Sequence, residues 1–422
     1  MSGLWIRIRK GEHLMSDIQL HQQLERRMPV APLELIVMPS AEELGTRVND
    51  YLVQFRKNYD NRAKTDTAFE GYVRSDYRLK AECVRFGTGE GKGIIDDSCR
   101  GKDIFILVDV MNYSLTYKMN GFINHMSPDD HFQDLKRIVA AINGKAARIS
   151  VIMPFLYEGR QHKRSSRESL DAANMLHELI DLGVKNFITF DAHDPRIQNV
   201  EPLASFDNFL SPYQFLRAII RRYPDLILDK DHFVVISPDE GALDRAVYFA
   251  NVIGADTGMF YKRRDYSRIV NGKNPIVAHE FLGSDLRGKD VIVMDDMISS
   301  GGSILDTARQ LKEMHAGRVF LCTTFGLFTD GLERFDEAFA RGDFDLVITS
   351  NLTYQTPELK TREWFRQADM SKYLANIIDF FNHNVSISET TTPTSKIHEL
   401  LAKFNRNEQT ALEQYELETT DF

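Results

Sequence analysis

The stretch 291–303 reads VIVMDDMISSGGS. An apolar run ends in two adjacent carboxylates, Asp295 and Asp296. Ser299, Ser300, Gly301, Gly302 and Ser303 follow, and a helical pattern begins at 303. Glycines and hydroxyls at a helix N-terminus present backbone N–H groups to a phosphate. The carboxylates cannot bind phosphate, but they can accept hydrogen bonds from sugar hydroxyls beside it. One loop thus offers donors for a phosphate and acceptors for a ribose. Two other apolar runs end similarly, in Asp191–Ala192–His193–Asp194 and in Ser237–Pro238–Asp239–Glu240–Gly241. A single acidic strand end is usually a turn or a helix cap. Three of them call for a shared site.

The elements that must position these residues alternate. Strand-like runs lie at 34–38, 103–110, 148–155, 186–193, 232–239, 290–296, 319–325 and 345–350. Several are apolar throughout, as in parallel strands buried on both faces. Helical patterns between them include 168–182, 211–223, 241–253 and 303–315. Such alternation predicts an α/β protein, whose ligands sit at the carboxyl ends of the strands. Residues 1–30 read as an N-terminal extension, 31–210 as a first domain and 211–355 as a second. A helical piece in 356–388 is expected to return to the first domain. The tail 389–422 opens on a Ser/Thr/Pro-rich linker and ends in a peripheral acidic helix. The polar segment 56–80 reads as a surface insertion.

Composition narrows the function. Of 422 residues, 52 are Lys or Arg and 61 are Asp or Glu, a net charge of −9. That balance speaks against broad affinity for nucleic acid or acidic membrane. No apolar run approaches a membrane span. Cys83, Cys99 and Cys322 lack metal-ligand spacing and fit a reducing, cytoplasmic setting. No P-loop GxxxxGK[ST] occurs.

The 291–303 stretch looks like the phosphoribosyl-binding loop of type I phosphoribosyltransferases. More narrowly, the chain resembles the ribose-phosphate pyrophosphokinase family from about 33 to 385. The resemblance implies two phosphoribosyltransferase-like domains, each a mainly parallel sheet flanked by helices. It implies transfer of the ATP diphosphoryl group to O1 of ribose 5-phosphate. Asp295, Asp296, Ser299, Ser300, Gly301, Gly302, Ser303 and Arg264 would then contact the sugar phosphate.

Further segments carry the likeness. In RFGTGEGKG (85–93), Phe86, Thr88, Gly89 and Glu90 are similar to an element that contacts adenine at a neighbouring subunit's site. In PFLYEGRQHKR (154–164), Arg160 and Gln161 match an ATP-binding pair, with Lys163 adding charge. In FDAHDPRIQ, His193 matches a metal-associated histidine, and Asp239 in VVISPDEGALDRA matches a second magnesium-associated position. Magnesium keeps several waters, so one or two protein donors are expected. In GMFYKRRDYSR (258–268), Lys262 and Arg264 match a catalytic flexible loop. The implied partners are ATP, ribose 5-phosphate and further copies of the chain, at least a dimer and up to a hexamer.

The chain departs from the family pattern at Thr88, His162 and Ser299, each standing where the family has an aspartate. Two competing readings remain open. A phosphoribosyltransferase would use the same loop but leaves Arg160–Gln161 and His193/Asp239 without a role. A non-catalytic regulatory subunit resembling the synthetase would lack the loop cations or the metal residues.

Overall fold

The computed structural model describes residue 24 and residues 27–59, 71–164, 166–264, 276–387 and 393–405, with backbone alone at 262–264, 276–279 and 405. The chain opens with β1 (Leu33–Val37) and α1 (Glu42–Asn58), then a ribbon of β2 (Ala81–Arg85) and β3 (Gly91–Ile95). β4 (Asp103–Leu107) leads to a hairpin of β5 (Thr116–Met119) and β6 (Phe122–His125). α2 (Pro128–Ile142), β7 (Arg148–Ile152), α3 (Asp171–Asp181), β8 (Asn186–Phe190) and β9 (Ser205–Phe209) complete the first half. β1-β4-β7-β8-β9 form one parallel sheet. β4 and β8 are buried at every residue, which is why they read as unbroken apolar runs.

The second half follows the same logic. It runs α4 (Pro212–Arg222), β10 (Phe233–Ser237), α5 (Leu243–Ile253), β11 (Asp256–Arg264), β12 (Ile276–Leu282) and β13 (Asp290–Ile298). Then come α6 (Gly302–Glu313), β14 (Val319–Gly326), α7 (Glu333–Arg341), β15 (Leu346–Ser350), α8 (Pro357–Lys360) and β16 (Phe365–Ala368). Its seven strands lie in the order β12-β11-β10-β13-β14-β15-β16, parallel except where β12 runs antiparallel to β11. The fold is thus two α/β domains, each built on a mainly parallel sheet flanked by helices. Among the described residues, no helix is long and apolar enough to cross a membrane.

The chain then returns. α9 (Ser371–Asn382) lies along α1 and buries Leu374, Ile377, Ile378 and Phe381 in the first core. Buried Arg56 clamps it, donating from Nε (3.0 Å) and Nη2 (2.8 Å) to Asp379. The boundary expected at 355 falls later, because β16 still belongs to the second sheet.

A further expectation is corrected. The segment 56–80 is no surface insertion in its described part: Arg56, Tyr59, Tyr72, Tyr77 and Leu79 are buried. Its polar composition misled because the aromatic rings lie against the Arg56 guanidinium, at 4.6 Å for Tyr72 and 4.9 Å for Tyr77. The tail's α10 (Thr394–Asn405) buries Ile397, Leu400 and Phe404 in the second core. The acidic stretch after it lies outside the described residues.

Candidate active site

The three acidic strand ends come from both domains. β8 delivers Asp191 and His193 from the first. β10 delivers Asp239, and β13 delivers Asp295 and Asp296, from the second. The His193 Nδ1 donates to Asp296 Oδ2 at 2.7 Å, joining the two domains at this point. A second link lies beside it. Asp191 Oδ1 accepts from Arg245 Nε (3.1 Å) and Nη2 (2.9 Å), while its Oδ2 accepts from Thr324 Oγ1 at 2.8 Å. Arg245 sits on α5 and Thr324 on β14, so this link also crosses between domains. Asp191 holds a left-handed backbone (φ 40°), a costly conformation for a residue other than glycine.

The paired carboxylates are driven apart electrostatically. Burial, and then the Asp296 charge, push Asp295 well above the usual carboxylate range; Asp239 adds to this. Burial also acts on Asp296, but the His193 hydrogen bond and the Arg245 charge outweigh it and hold this group low. Asp296 is therefore a carboxylate committed to His193. Asp295 holds its proton more readily and accepts the Asp296 N–H at 2.9 Å. It can both give and take hydrogen bonds with a polyol. The His193 imidazole is raised above its ordinary value, chiefly by the Asp296 hydrogen bond and against its partial burial.

The loop after β13 leads into the N-terminus of α6. Gly301 adopts φ 82° at the N-cap of α6, and a Cβ there would stand 2.4 Å from the Phe335 ring. Gly302 opens the helix, and a Cβ on it would meet nothing nearer than Ser300 Oγ at 4.0 Å. The first-turn N–H groups of a helix lack intrahelical acceptors. Ser299, Ser300 and Ser303 supply hydroxyls at the same end.

The other expected residues fall into three groups. Arg160, Gln161 and Lys163 are exposed on the loop after β7. The Arg160 charge acts on His193, which places this loop at the cluster. His162 ties it down: Nε2 lies 3.0 Å from Asp194 Oδ2, and its ring is 5.7 Å from that of His193. Phe86, Thr88, Gly89 and Glu90 form the β2–β3 turn, supported by the β5–β6 hairpin through Asn120 N–H to Gly87 O at 2.9 Å. Phe86 is 54% exposed, and Thr88 Oγ1 donates to Glu90 Oε2 at 2.9 Å. Lys262 and Arg264 end β11, paired with His279 and Ile276; their side chains, and residues 265–275, lie outside the described residues.

The sequence offers His193 and Asp239 as two metal-associated positions; in the structure the His193 Nδ1 is held by Asp296. Asp239 is an N-cap, its Oδ1 accepting from Gly241 N (3.0 Å) and Ala242 N (3.3 Å). Arg245 was missed, although it lies in the same VVISPDEGALDRA segment, because a helical arginine reads as solvated surface.

Family models match residues 33–183, as the N-terminal domain of ribose phosphate pyrophosphokinase, and residues 207–336, as a phosphoribosyl transferase domain. The ribose-phosphate pyrophosphokinase of Corynebacterium efficiens is 31% identical over 275 residues, covering 64% of this chain and 76% of that protein. The chain belongs to the ribose-phosphate pyrophosphokinase family. Within that family, the Fusobacterium nucleatum protein is 28% identical over 313 residues, covering 74% of this chain and 89% of its own length. The phosphoribosylpyrophosphate synthetase of Mycobacterium smegmatis shares the fold, with a TM-score of 0.65 and 23% identity over 83% of this chain and 99% of that one.

Proposed function

We propose that this chain transfers the diphosphoryl group of ATP to O1 of ribose 5-phosphate, forming 5-phospho-α-D-ribose 1-diphosphate and AMP. The ribose O1 attacks the β-phosphorus, and the bond from that phosphorus to the α,β-bridging oxygen breaks. Such transfers depend on positioning and charge stabilisation more than on covalent help. The observation that carries the reading is the His193–Asp296 contact. It brings the His193 end of one domain, on the side proposed for the nucleotide, against the strand end of the other that leads into the loop proposed for the sugar phosphate.

In this reading the 5-phosphate lies on the N–H groups and hydroxyls of 299–303, and Asp295 and Asp296 accept from the ribose hydroxyls. Arg160, Gln161 and Lys163 hold the triphosphate. Phe86 offers an aromatic face, and Thr88, Gly89 and Glu90 the turn, to the adenine of ATP at a neighbouring copy's site; the working unit is then at least a dimer. Lys262 and Arg264 close over the transferring group and exclude water.

His193 and Asp239 are the residues that would hold Mg²⁺. The Nδ1 of His193 is committed to a carboxylate, the arrangement that orients a metal-binding imidazole through its other nitrogen. Among the described residues no cluster of three or more His, Cys, Asp or Glu side chains could hold a metal. ATP oxygens and water would supply the remaining ligands, and the bound ion would offset phosphate charge.

The test is a product assay with ribose 5-phosphate, Mg²⁺ and ATP labelled at the β-phosphorus. Label in phosphoribosyl diphosphate with equimolar AMP supports the reading. Binding of ribose 5-phosphate without turnover would replace it with a regulatory subunit.

A further inference from the structure

A cavity of about 220 Å³ lies at a second point of the domain seam. Its floor is built from the ends of β1, β4 and β7, and its roof from residues 351–355 after β15. None of Asp191, His193, Asp239, Arg245, Asp295 or Asp296 lines it. It is not part of the candidate active site.

Glu42, Glu43, Lys360 and Asp109 are its charged lining residues, and Asp109 is the buried one among them. The side chain is buried, 4% exposed. Its Oδ1 accepts from Met111 N at 2.9 Å, and its Oδ2 from Tyr354 N, on the other domain, at 2.6 Å. Both donors are backbone amides. Among the described residues no arginine, lysine or histidine pairs with this carboxylate. Lys360 lines the cavity, but its Nζ is held by Glu43 at 2.8 and 2.9 Å. Burial pushes the Asp109 carboxyl up to about 7, the direction expected of a buried acid without a cation.

A second polar group faces the same space. Thr353 lines the cavity, is 4% exposed, and its Oγ1 has no hydrogen-bond partner. A buried hydroxyl left unpaired is costly, as is a buried carboxylate without a counter-charge. One occupant relieves both: a group that is cationic and carries several N–H donors. The volume lies below the ~300–1,000 Å³ typical of drug-sized ligands, so that occupant is small.

We infer that this seam cavity binds a small molecule bearing a primary ammonium group, which donates to Asp109 and Thr353. Because Tyr354 N–H shares the same carboxylate, the occupied cavity ties the two domains together. The inference does not depend on the proposed reaction.

Thermal unfolding of the full chain tests it, at constant ionic strength and pH 8. The probes are ethylammonium chloride, tetramethylammonium chloride, sodium chloride and sodium phosphate. Ethylammonium should raise the midpoint, whereas tetramethylammonium, a cation without N–H donors, should not. Asp109→Asn should abolish the ethylammonium shift. Thr353→Val should weaken the apparent affinity about tenfold, the loss of one hydrogen bond of ~1.4 kcal/mol. Thr353→Val also keeps the test alive if Asp109→Asn fails to fold. An equal shift with tetramethylammonium, a shift with phosphate alone, or an ethylammonium shift unchanged in Thr353→Val would overturn the inference.

Discussion

His193, following β8 of the first domain, donates Nδ1–H to the Asp296 carboxylate on β13 of the second, across 2.7 Å. The Asp296 Oδ2 serves this contact, so a ribose hydroxyl on the same carboxylate shares it with His193. Asp296 orients the imidazole. Replacing it by asparagine keeps the shape and removes the charge. Asp296→Asn should lower activity about 10–100-fold and raise the Mg²⁺ concentration needed for half-maximal rate, as removal of a metal ligand's orienting partner does. Initial rates against Mg²⁺ would show this; an unchanged Mg²⁺ requirement would refute it.

Lys262 is proposed to act on the transferring group alone. Lys262→Ala should reduce kcat by ~10²–10³ while leaving the KM for ribose 5-phosphate nearly unchanged, the pattern of an interaction made only in the transition state. A wild-type kcat in this variant would remove it from the mechanism.

Ser299 stands at the loop position where the family carries a carboxylate. Restoring it with Ser299→Asp should change the KM for ribose 5-phosphate more than kcat. Identical KM values would mean that position 299 does not meet the sugar.

The Arg56–Asp379 pair is fully buried. Asp379 also accepts from Tyr59 at 2.8 Å. Burial raises the carboxyl, but Arg56 and His383 outweigh it, so its folded value is depressed. The pair's contribution is therefore present above the unfolded value near 4 and is lost as pH falls below it. Asp379→Ala should cost ~3–5 kcal/mol at pH 7, because it strands Arg56 as a buried charge. Urea unfolding at pH 7 measures this.

Asp109 has the opposite sign. Its folded value is raised to about 7 from 3.8, so the folded state holds this proton longer than the unfolded chain does. Its effect on stability is thus lost progressively as pH rises from about 4 to about 7. Across that window the difference between Asp109→Asn and wild type should shift steadily in favour of the variant. A difference independent of pH, in parallel urea titrations, would count against a lone buried carboxylate.

Much of this architecture was legible because parallel strands buried on both faces leave unbroken apolar runs. All eight expected strands are present within a few residues, from Leu33–Val37 to Leu346–Ser350. The candidate site was legible at its strand ends for the same reason: Asp295–Asp296 interrupt a run that is otherwise apolar. What pattern could not give was pairing. Nothing in the spacing of His193 says that Asp296 meets it, since the two lie more than a hundred residues apart in different domains. Arg245 and Arg56 look like surface arginines until their distant acids are found. Tyr72 and Tyr77 look polar in sequence and become core only against the Arg56 guanidinium. These are long-range electrostatic facts, which local periodicity does not carry.

The return of α9 sets an order on biosynthesis. The strands of the second domain all lie between Phe233 and Ala368 and emerge from the ribosome as one block. The first domain begins earlier yet cannot close its core, or pair Arg56, until Ser371–Asn382 has been made. The domain translated first thus waits until the whole second sheet has been made, and its unfinished helix face is a surface for a chaperone to guard in the meantime.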